Sequence, residues 1–343
     1  MGNPTKKIYA SVKAFSQRGK LLSKDDFQTL SESRDMDELI TRMKNTKYSD
    51  IISYIPKPYN ITNIERALKN HLIEMHFSIA KTSGEKVLSE YYLRYVLWNL
   101  KLIIKGKILG KSYEDIESQI NLRAEELIKQ RDTIVKTMTS SDLEEAVTSL
   151  RNTVFGEGVS KAVNVYNDTK NIQVFDIYFD KILTKQIKSA LQFSSDRDIV
   201  RLTWMNIDFY NLVSILRGKF WDLTEEQIND LIVTSTPSAS KGLLSKMASA
   251  SSIKDACNEI SNTRYKNLIS TFENDIDLIS DFEHAFEIAM YKASKSSFTT
   301  MFSPSNSMGI INLLNYEVRN ISSIIFAIEQ KIPSKTTMSK LII

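Results

Sequence analysis

A short helical pattern that occurs three times, at intervals of about 110 residues, constrains this chain more than any other feature. Each copy begins with a residue that caps helices and ends at an asparagine–threonine pair, and an aromatic residue follows two positions later. The copies end at Asn45-Thr46, Asn152-Thr153 and Asn262-Thr263, and the aromatic residues are Tyr48, Phe155 and Tyr265. Repetition at a fixed interval is typical of tandem structural units, so the pattern predicts three related helical units.

Each copy has the composition of one short amphipathic helix. Eleven residues before each threonine stands a good N-cap residue, and an acid follows three positions later, at the spacing of a capping box. Apolar residues then recur at i, i+3 and i+7, which predicts one buried face. The caps are Asp35, Asp142 and Ser252, and the acids are Glu38, Glu145 and Asp255. We expect the buried face, rather than the cap, to supply most of the stability of each helix.

A second pattern places an asparagine 53, 58 and 57 residues after the successive threonines. These asparagines are Asn99, Asn211 and Asn320, with a large apolar or aromatic residue four positions before each and an isoleucine four positions after. The three positions share one face of a helix. A buried amide without a partner costs on the order of 1–3 kcal/mol, so each side chain is expected to bond a neighbouring backbone segment. This structural role is favoured over ligand binding, because catalysis rarely needs three equivalent sites.

The first two units also share a basic–Gly–Lys triplet, Lys105-Gly106-Lys107 and Arg217-Gly218-Lys219, whereas the third unit has Phe326-Ala327-Ile328. The triplets could contact anionic lipid or nucleic acid. A helix end is favoured instead, because cations there offset the helix dipole and glycine relaxes the backbone. The three tryptophans flank these triplets and are expected to pack. They are Trp98, Trp204 and Trp221.

Composition favours an all-α protein that does not cross a membrane. The 343 residues include only 10 Gly and 6 Pro, which suits long helices. The net charge of +4 is too small to require nucleic acid, and a single cysteine, Cys257, excludes an internal disulfide framework. The N-terminal residues lack the apolar core of a signal peptide. The most apolar segment, residues 91–109, is interrupted by four basic residues, whereas a spanning helix needs about 20 largely uncharged ones.

The sequence offers few groups for catalysis. Glycine loops of the kind that bind phosphates or dinucleotides are absent, as is a Gly-x-Ser-x-Gly nucleophile motif. His71 and His76 are five residues apart, not the four that would direct two ligands to one metal on a helix. We therefore expect no catalytic residues, no cofactor and no metal.

The chain is expected to divide into helical units at 1–120, 121–232 and 233–343, with approximate boundaries. The alternative that the first and last helices pack together is left open. Three segments indicate loops: Ser53–Asn63, Val233–Ser252 and Ala293–Gly309. The last of these contains Phe298, Met301 and Phe302, so either an ordered loop or a contact with a partner would explain it.

These motifs together resemble a known family. Glu38-Leu39 leading to Asn45-Thr46-Lys47-Tyr48 is similar to the rotor-socket subunit of the archaeal and vacuolar-type ATPases. It is the C subunit in the archaeal and bacterial enzymes and the d subunit in the eukaryotic vacuolar one. The stretches that follow Asn99 and Asn211 through the basic–Gly–Lys triplets, and Glu317-x-x-Asn320 near the end, match the remaining hallmarks. The resemblance covers nearly the whole chain, and the length and cysteine content look more like the archaeal form.

The resemblance implies a funnel of three similar helical domains around a pseudo-threefold axis. A member of this family is a peripheral subunit on the cytoplasmic face of the cell membrane, with one copy in each complex. It joins the central shaft to the proteolipid subunits of the membrane rotor ring and couples ATP synthesis or hydrolysis to proton or sodium transport. It hydrolyses nothing itself, and it binds no nucleic acid.

Two other classes stay open from the residues alone. One is a helical adaptor for an unrelated partner, although solenoid repeats are shorter, at roughly 20–45 residues. The other is an enzyme with a site between helices, which substrate-dependent turnover would reveal.

Overall fold

Helices make up most of the part of the chain that the structure describes. A computed structural model describes residues 4–194, 196–261, 263–269 and 274–343. Within these ranges there are α-helices and two short 3-10 helices but no strand, so the all-α class is confirmed. Asn262, which belongs to the third copy of the threonine pattern, lies outside the described residues.

The α-helices are numbered here in chain order. They are α1 (Pro4–Arg18), α2 (Lys24–Ser31), α3 (Met36–Met43), α4 (Ser49–Ser53), α5 (Ile61–Ser83), α6 (Lys86–Tyr92), α7 (Arg94–Ile108), α8 (Tyr113–Gln119), α9 (Arg123–Leu127), α10 (Arg131–Thr139), α11 (Leu143–Ser149), α12 (Gly156–Thr169), α13 (Val174–Leu191), α14 (Arg197–Phe220), α15 (Glu225–Leu231), α16 (Lys241–Ser249), α17 (Ile253–Ile260), α18 (Asp275–Ser296), α19 (Pro304–Glu329) and α20 (Ser334–Lys340). The 3-10 helices are Lys266–Leu268 and Ser297–Thr299.

The chain forms two compact units, of which the first comprises Met1–Glu85, Asp196–Leu202 and Glu283–Ile343. Its centre is α19, which is apolar on most of its surface and is buried along nearly its whole length. Helices α1, α2, α3 and α5 all pack against α19, and α1 also packs against α5. The opening and closing helices of the chain therefore share one hydrophobic core.

The second unit comprises Lys86–Ser195 and Thr203–Phe282. Here α13 packs against α6, α7 and α12, while α10 packs against α11 and α16 against α17. Helix α7 also contacts α11. The division into three units at 1–120, 121–232 and 233–343 stays a prediction, as does the pseudo-threefold funnel that the resemblance implies.

The three N-caps form as the spacing predicts, but the acids bond differently. The side chains of Asp35, Asp142 and Ser252 each accept a hydrogen bond from the backbone N–H three residues later. In a capping box the acid would accept from the N–H of the cap itself. Instead each glutamate accepts from the N–H of the residue just before the cap. Glu38 accepts from the Arg34 N–H at 3.0 Å, and Glu145 accepts from the Ser141 N–H at 2.7 Å. The shorter Asp255 accepts from the hydroxyls of Ser251 and Ser252.

Two of the three predicted loops contain helix, and the second of these is mostly helical. The segment 233–252 contains α16, and in 293–309 only residues 300–303 separate the second 3-10 helix from α19. The reason is that one serine in each of these two segments caps a helix. Ser240 accepts from the Leu243 N–H at 3.2 Å, and Ser303 accepts from the Ser305 N–H at 3.2 Å. A serine-rich segment therefore marks helix starts here rather than a long linker.

The helices that carry Asn99, Asn211 and Asn320 end in the same way. The residue after each C-cap has a left-handed backbone, and the next N–H bonds a carbonyl five residues back, which is a Schellman motif. The left-handed residues are Gly110 (φ 65°), Asp222 (φ 53°) and Lys331 (φ 55°), and the bonds are Lys111 N–H to Gly106 O at 2.9 Å, Leu223 N–H to Gly218 O at 3.0 Å and Ile332 N–H to Ala327 O at 2.8 Å. A seven-residue helix follows each end, namely α8, α15 and α20. The third copy lacks the basic–Gly–Lys triplet but ends in the same Schellman motif.

Candidate functional site

Each of the three repeated asparagines holds a backbone segment about 22 residues further along the chain, an arrangement called here the amide clamp. The side-chain oxygen accepts from a backbone N–H, and the side-chain nitrogen donates to a backbone carbonyl. Asn99 accepts from the Asn121 N–H at 3.3 Å and donates to the Asn121 carbonyl at 2.8 Å. Asn211 accepts from the Val233 N–H at 3.1 Å and donates to the Thr234 carbonyl at 2.7 Å. Asn320 accepts from the Ile342 N–H at 3.1 Å and donates to the Ile342 carbonyl at 2.8 Å. All three carboxamides are buried, so backbone contacts occupy the groups that a ligand would need.

The threonine pattern forms a compact turn after each short helix, called here the threonine turn. The threonine hydroxyl donates to the carbonyl three residues back at 2.7 Å and accepts the N–H of the aromatic residue two positions on. The aromatic rings of Tyr48, Phe155 and Tyr265 are buried. The turn thus directs one large side chain into the core.

In the first unit, the Glu317 carboxylate on α19 contacts two hydrogen-bond donors and one cation from the N-terminal part of the chain. Its carboxylate accepts from Tyr48 OH at 2.7 Å and from Leu22 N–H at 2.5 Å, and it forms an ion pair with the Lys47 ammonium. Both charged side chains are largely buried. Burial raises the pKa of the Tyr48 hydroxyl well above its usual value, and the nearby Glu317 carboxylate raises it further. Burial also lowers the pKa of Lys47, although Glu317 opposes this shift.

In the second unit, Asp208 on α14 makes the corresponding contact. Its carboxylate accepts from the Tyr265 and Thr236 hydroxyls, and the half-exposed Arg264 guanidinium lies 3.8 Å away. Burial raises the pKa of Asp208, against the opposite effect of these two hydrogen bonds. Asp208 therefore relies mainly on neutral partners, whereas Glu317 has a buried cation beside it.

The sequence contained a signal for these contacts that motif spacing alone did not reveal. Asp208 and Glu317 each stand three residues before a clamp asparagine, and each accepts from a tyrosine of a threonine turn. The remaining turn has Phe155, which offers no hydroxyl, and the residue three positions before Asn99 is the apolar Val96. Two clamp asparagines are thus preceded by an acid, and two threonine turns carry the tyrosine hydroxyls from which these acids accept. The third clamp has no such acid, and the third turn has no hydroxyl.

Among the described residues, the clamp of Asn99 has an additional side-chain partner that is not seen for the other two clamps. Its side-chain nitrogen also donates to Glu125 Oε1 at 2.8 Å, and this carboxyl group is fully buried. Burial raises the pKa of Glu125 to about 7, although the Asn99 hydrogen bond acts in the opposite direction. Glu125 Oε2 has no hydrogen-bond partner among the described residues.

The basic–Gly–Lys triplets lie at helix ends, as favoured from the sequence, but glycine is needed there for space. A Cβ on Gly106 would lie 2.7 Å from Ile116 Cγ1, and one on Gly218 would lie 3.0 Å from Ile228 Cγ1. In the third copy Ala327 stands in place of glycine and Thr337 in place of isoleucine, and both are buried. The larger residue on α19 thus faces a smaller one on α20.

The lysine of each triplet bonds the end of another helix. Lys107 donates to the Ser140 carbonyl, which follows α10, and Lys219 donates to the Ala248 carbonyl at 2.9 Å in the last turn of α16. Carbonyl groups at a helix C-terminus lack partners in their own helix, so a cation satisfies them. Neither lysine therefore needs an anionic ligand to explain it.

The expectation that the tryptophans pack was wrong for two of them. Trp98 and Trp221 are exposed, because Trp98 occupies the outer face of α7 and Trp221 follows the end of α14. Cys257, in contrast, is buried as a free thiol on α17, and burial raises its pKa to about 11.

The described residues contain no cluster of three or more His, Cys, Asp or Glu side chains that could hold a metal ion. His71 packs its ring edge-on against Tyr48, and His76 is buried on the same helix. Among the described helices, none combines the length and the apolar character that crossing a bilayer would require. The polar groups that the sequence singled out thus bond backbone and neighbouring side chains.

Comparison with known proteins adds a second line of information. The family model described as ATP synthase (C/AC39) subunit matches residues 10–340. A similar protein, the C subunit of the A-type ATP synthase of Methanocaldococcus jannaschii, is 24% identical over 331 residues, covering 92% of this chain and 81% of the relative. Its counterpart from Methanosarcina mazei is 23% identical over 348 residues, covering 98% and 92%. That of Pyrococcus horikoshii is 23% identical over 264 residues, covering 75% and 68%.

Proposed function

The chain belongs to the ATP synthase (C/AC39) subunit family, and from this we propose that it is a non-catalytic central-stalk subunit of an A/V-type ATP synthase. In this role it joins the central shaft to the proteolipid ring and transmits torque between them. The match of the family model over residues 10–340 carries the proposal.

The physical character of the chain supports this role. A part that transmits torque must resist deformation, and buried hydrogen bonds between distant segments provide such resistance. Glu317 connects α19 to residues near the N-terminus, and the three amide clamps fix extended segments against long helices. These contacts need no ligand or cofactor to form.

The proposed partners are the shaft subunits and the proteolipid subunits of the membrane rotor ring. The protein is proposed to be peripheral, on the cytoplasmic face of the cell membrane, with one copy in each complex. Exposed aromatic residues such as Trp98 and Trp221 are available for such contacts, since aromatic side chains are enriched at protein interfaces.

Co-purification tests the proposal directly. A tagged full-length chain, expressed in its own host and isolated from gently solubilised membranes, is expected to bring down the shaft and ring subunits in fixed stoichiometry. A chain carrying Tyr54→Ser, which changes an exposed side chain, serves as a matched control for tagging and solubility. Recovery of an unrelated partner without any rotor subunit would instead identify a helical adaptor.

A second test addresses catalysis. The purified chain is expected to show no ATP hydrolysis, because its sequence has no phosphate-binding glycine loop. Hydrolysis that follows the pure protein through successive columns would contradict the non-catalytic assignment.

A further inference from the structure

An exposed apolar patch surrounds Ser11 in the first unit. Helix α1 buries Ala10 and Ala14 against its neighbours but leaves Ile8, Tyr9 and Val12 at 47%, 65% and 54% exposure. These three side chains share the outer face of the helix, since residues three and four apart are neighbours on its surface. The name α1 patch is used below for these residues together with Met301 and Phe302.

The loop before α19 adds Met301 and Phe302, which are 63% and 46% exposed. It lies beside α1, because Ser11 Oγ accepts the Phe302 N–H at 3.0 Å and donates to Asn306 Oδ1 at 2.7 Å. Asn306 in turn donates to the carbonyls of Ser297 and Thr300. These hydrogen bonds hold the loop in place. The loop is therefore ordered, and its exposed side chains still allow the contact with a partner that the sequence also suggested.

Phe302 has a left-handed backbone, with φ of 60°, which is costly for a bulky residue. Such a conformation persists only where the surroundings impose it, and here the hydrogen bonds of Ser11 and Asn306 hold the loop. It leaves the aromatic ring of Phe302 partly exposed.

Basic charges outnumber acidic ones around the α1 patch. Helix α1 carries Lys6, Lys7, Lys13 and Arg18 and no acid, and residues 297–303 contain no acid either. Lys20 and Lys24 follow, and the first acid in the chain is Asp25. Two carboxylates of the same unit lie near this region, but Glu85 pairs with Lys7 at 3.8 Å and Asp196 accepts from Ser303 Oγ.

We infer that the α1 patch docks on an anionic lipid surface. Aliphatic and aromatic side chains on a helix with only basic charges fit the boundary between lipid head groups and acyl chains. The inference does not depend on the proposed function, because it concerns the purified chain and lipid alone.

Vesicle co-sedimentation of the full-length chain tests this inference. Vesicles of phosphatidylcholine are compared with vesicles in which a third of the lipid is anionic phosphatidylglycerol. We expect binding to the anionic vesicles only, weakened by added salt because screening reduces the attraction. The double variant Ile8→Ser/Val12→Ser is expected to bind at least about tenfold more weakly, and Lys6→Gln about fivefold more weakly.

Matched controls keep the result interpretable. Tyr54→Ser removes a side chain of the same unit that is 88% exposed but lies outside the α1 patch, and it is expected to bind as the unaltered chain does. Circular dichroism is expected to show unchanged folding for every variant, because the altered side chains are exposed. Failure of the unaltered chain to bind anionic vesicles, or equal binding by the double variant, would overturn the inference. So would loss of complex assembly in that variant without vesicle binding by the unaltered chain, since the patch would then contact a protein.

Discussion

Glu317 in the first unit and Asp208 in the second stand three residues before a clamp asparagine and accept a hydrogen bond from a tyrosine of a threonine turn. They differ in what neutralises the acid. Lys47 forms a largely buried ion pair with Glu317, whereas Asp208 has two hydroxyl donors and the partly exposed Arg264. They also differ in span, since Tyr48 and Glu317 are 269 residues apart and Tyr265 and Asp208 only 57. Equivalent positions can thus have different electrostatic costs.

The largest expected effect separates these two acids. Glu317→Gln leaves the buried Lys47 cation without its counter-charge and should lower the free energy of unfolding by about 3–5 kcal/mol. Asp208→Asn removes no buried cation partner and should cost only about 1 kcal/mol. Urea denaturation of both variants measures the difference.

A double variant serves as the control for this comparison. Adding Lys47→Met to Glu317→Gln removes the uncompensated cation and should restore most of the lost stability. Equal losses in the two single variants would show that the Lys47 pair makes no difference between the units.

The amide clamps of the two units should contribute similar amounts to stability, unlike the two acids. Asn320→Leu and Asn211→Leu each remove the side-chain partner of one backbone N–H and one carbonyl, which are buried in the first case and partly buried in the second, at about 2–4 kcal/mol. The two losses are expected to be similar, because each side chain accepts one backbone N–H and donates to one backbone carbonyl, although Asn320 bonds one residue and Asn211 bonds two successive ones. An unchanged melting temperature for either variant would refute the structural role of that clamp.

Glu125, which bonds the clamp of Asn99, should make the stability of the second unit depend on pH. The clamp of Asn320 in the first unit has no such carboxyl partner among the described residues. Its pKa is about 7 in the folded chain against an ordinary 4.5, so the folded state holds the proton more tightly than the unfolded state does. The contribution of this group therefore becomes unfavourable as pH rises from about 4.5 to about 7 and is constant above that range.

Glu125→Gln should remove this dependence while keeping an oxygen that accepts from Asn99. We expect stabilisation of about 1–3 kcal/mol at pH 8 and little difference at pH 4, measured by urea unfolding at both values. A constant difference between the variant and the unaltered chain across this range would mean that the carboxyl group does not titrate as described.

The smallest expected effects concern the left-handed residues that follow the clamp helices. Asp222→Gly in the second unit and Lys331→Gly in the first should each stabilise by up to about 1 kcal/mol, because glycine adopts this conformation without strain. Gly110→Ala should destabilise by a similar amount. Thermal unfolding of the three variants provides the test, and a loss of stability in Lys331→Gly would contradict the assigned backbone.

Patterns confined to one helix could be predicted from the sequence. The N-caps at Asp35 and Asp142 and the buried faces of α3 and α11 follow from spacing, since neighbours three and four residues apart must lie together on a helix. Serine-rich segments were misleading because the same residues start helices and form loops. Ser240 and Ser303 proved to be caps.

Partners across long distances could not be predicted in this way. The apolar context of Asn320 indicated that its amide needs a partner, but spacing does not show that Ile342 supplies it. The contact between Tyr48 and Glu317 depends on which helices pack together, and that is decided by the packing of α1, α3 and α5 on α19. The basic triplets lie at helix ends as expected, but the need for glycine at 106 follows from the position of Ile116 on the next helix, which spacing does not show.

The central place of α19 in the first unit has a consequence during synthesis. Helices α1, α2, α3 and α5 leave the ribosome more than 200 residues before α19, the helix that completes their core. The second unit, residues 86–195 and 203–282, is made in between. Since domains generally fold as units once their chain is available, the core of the first unit forms only after α19 has been made, and its earlier helices stay open to chaperones until then.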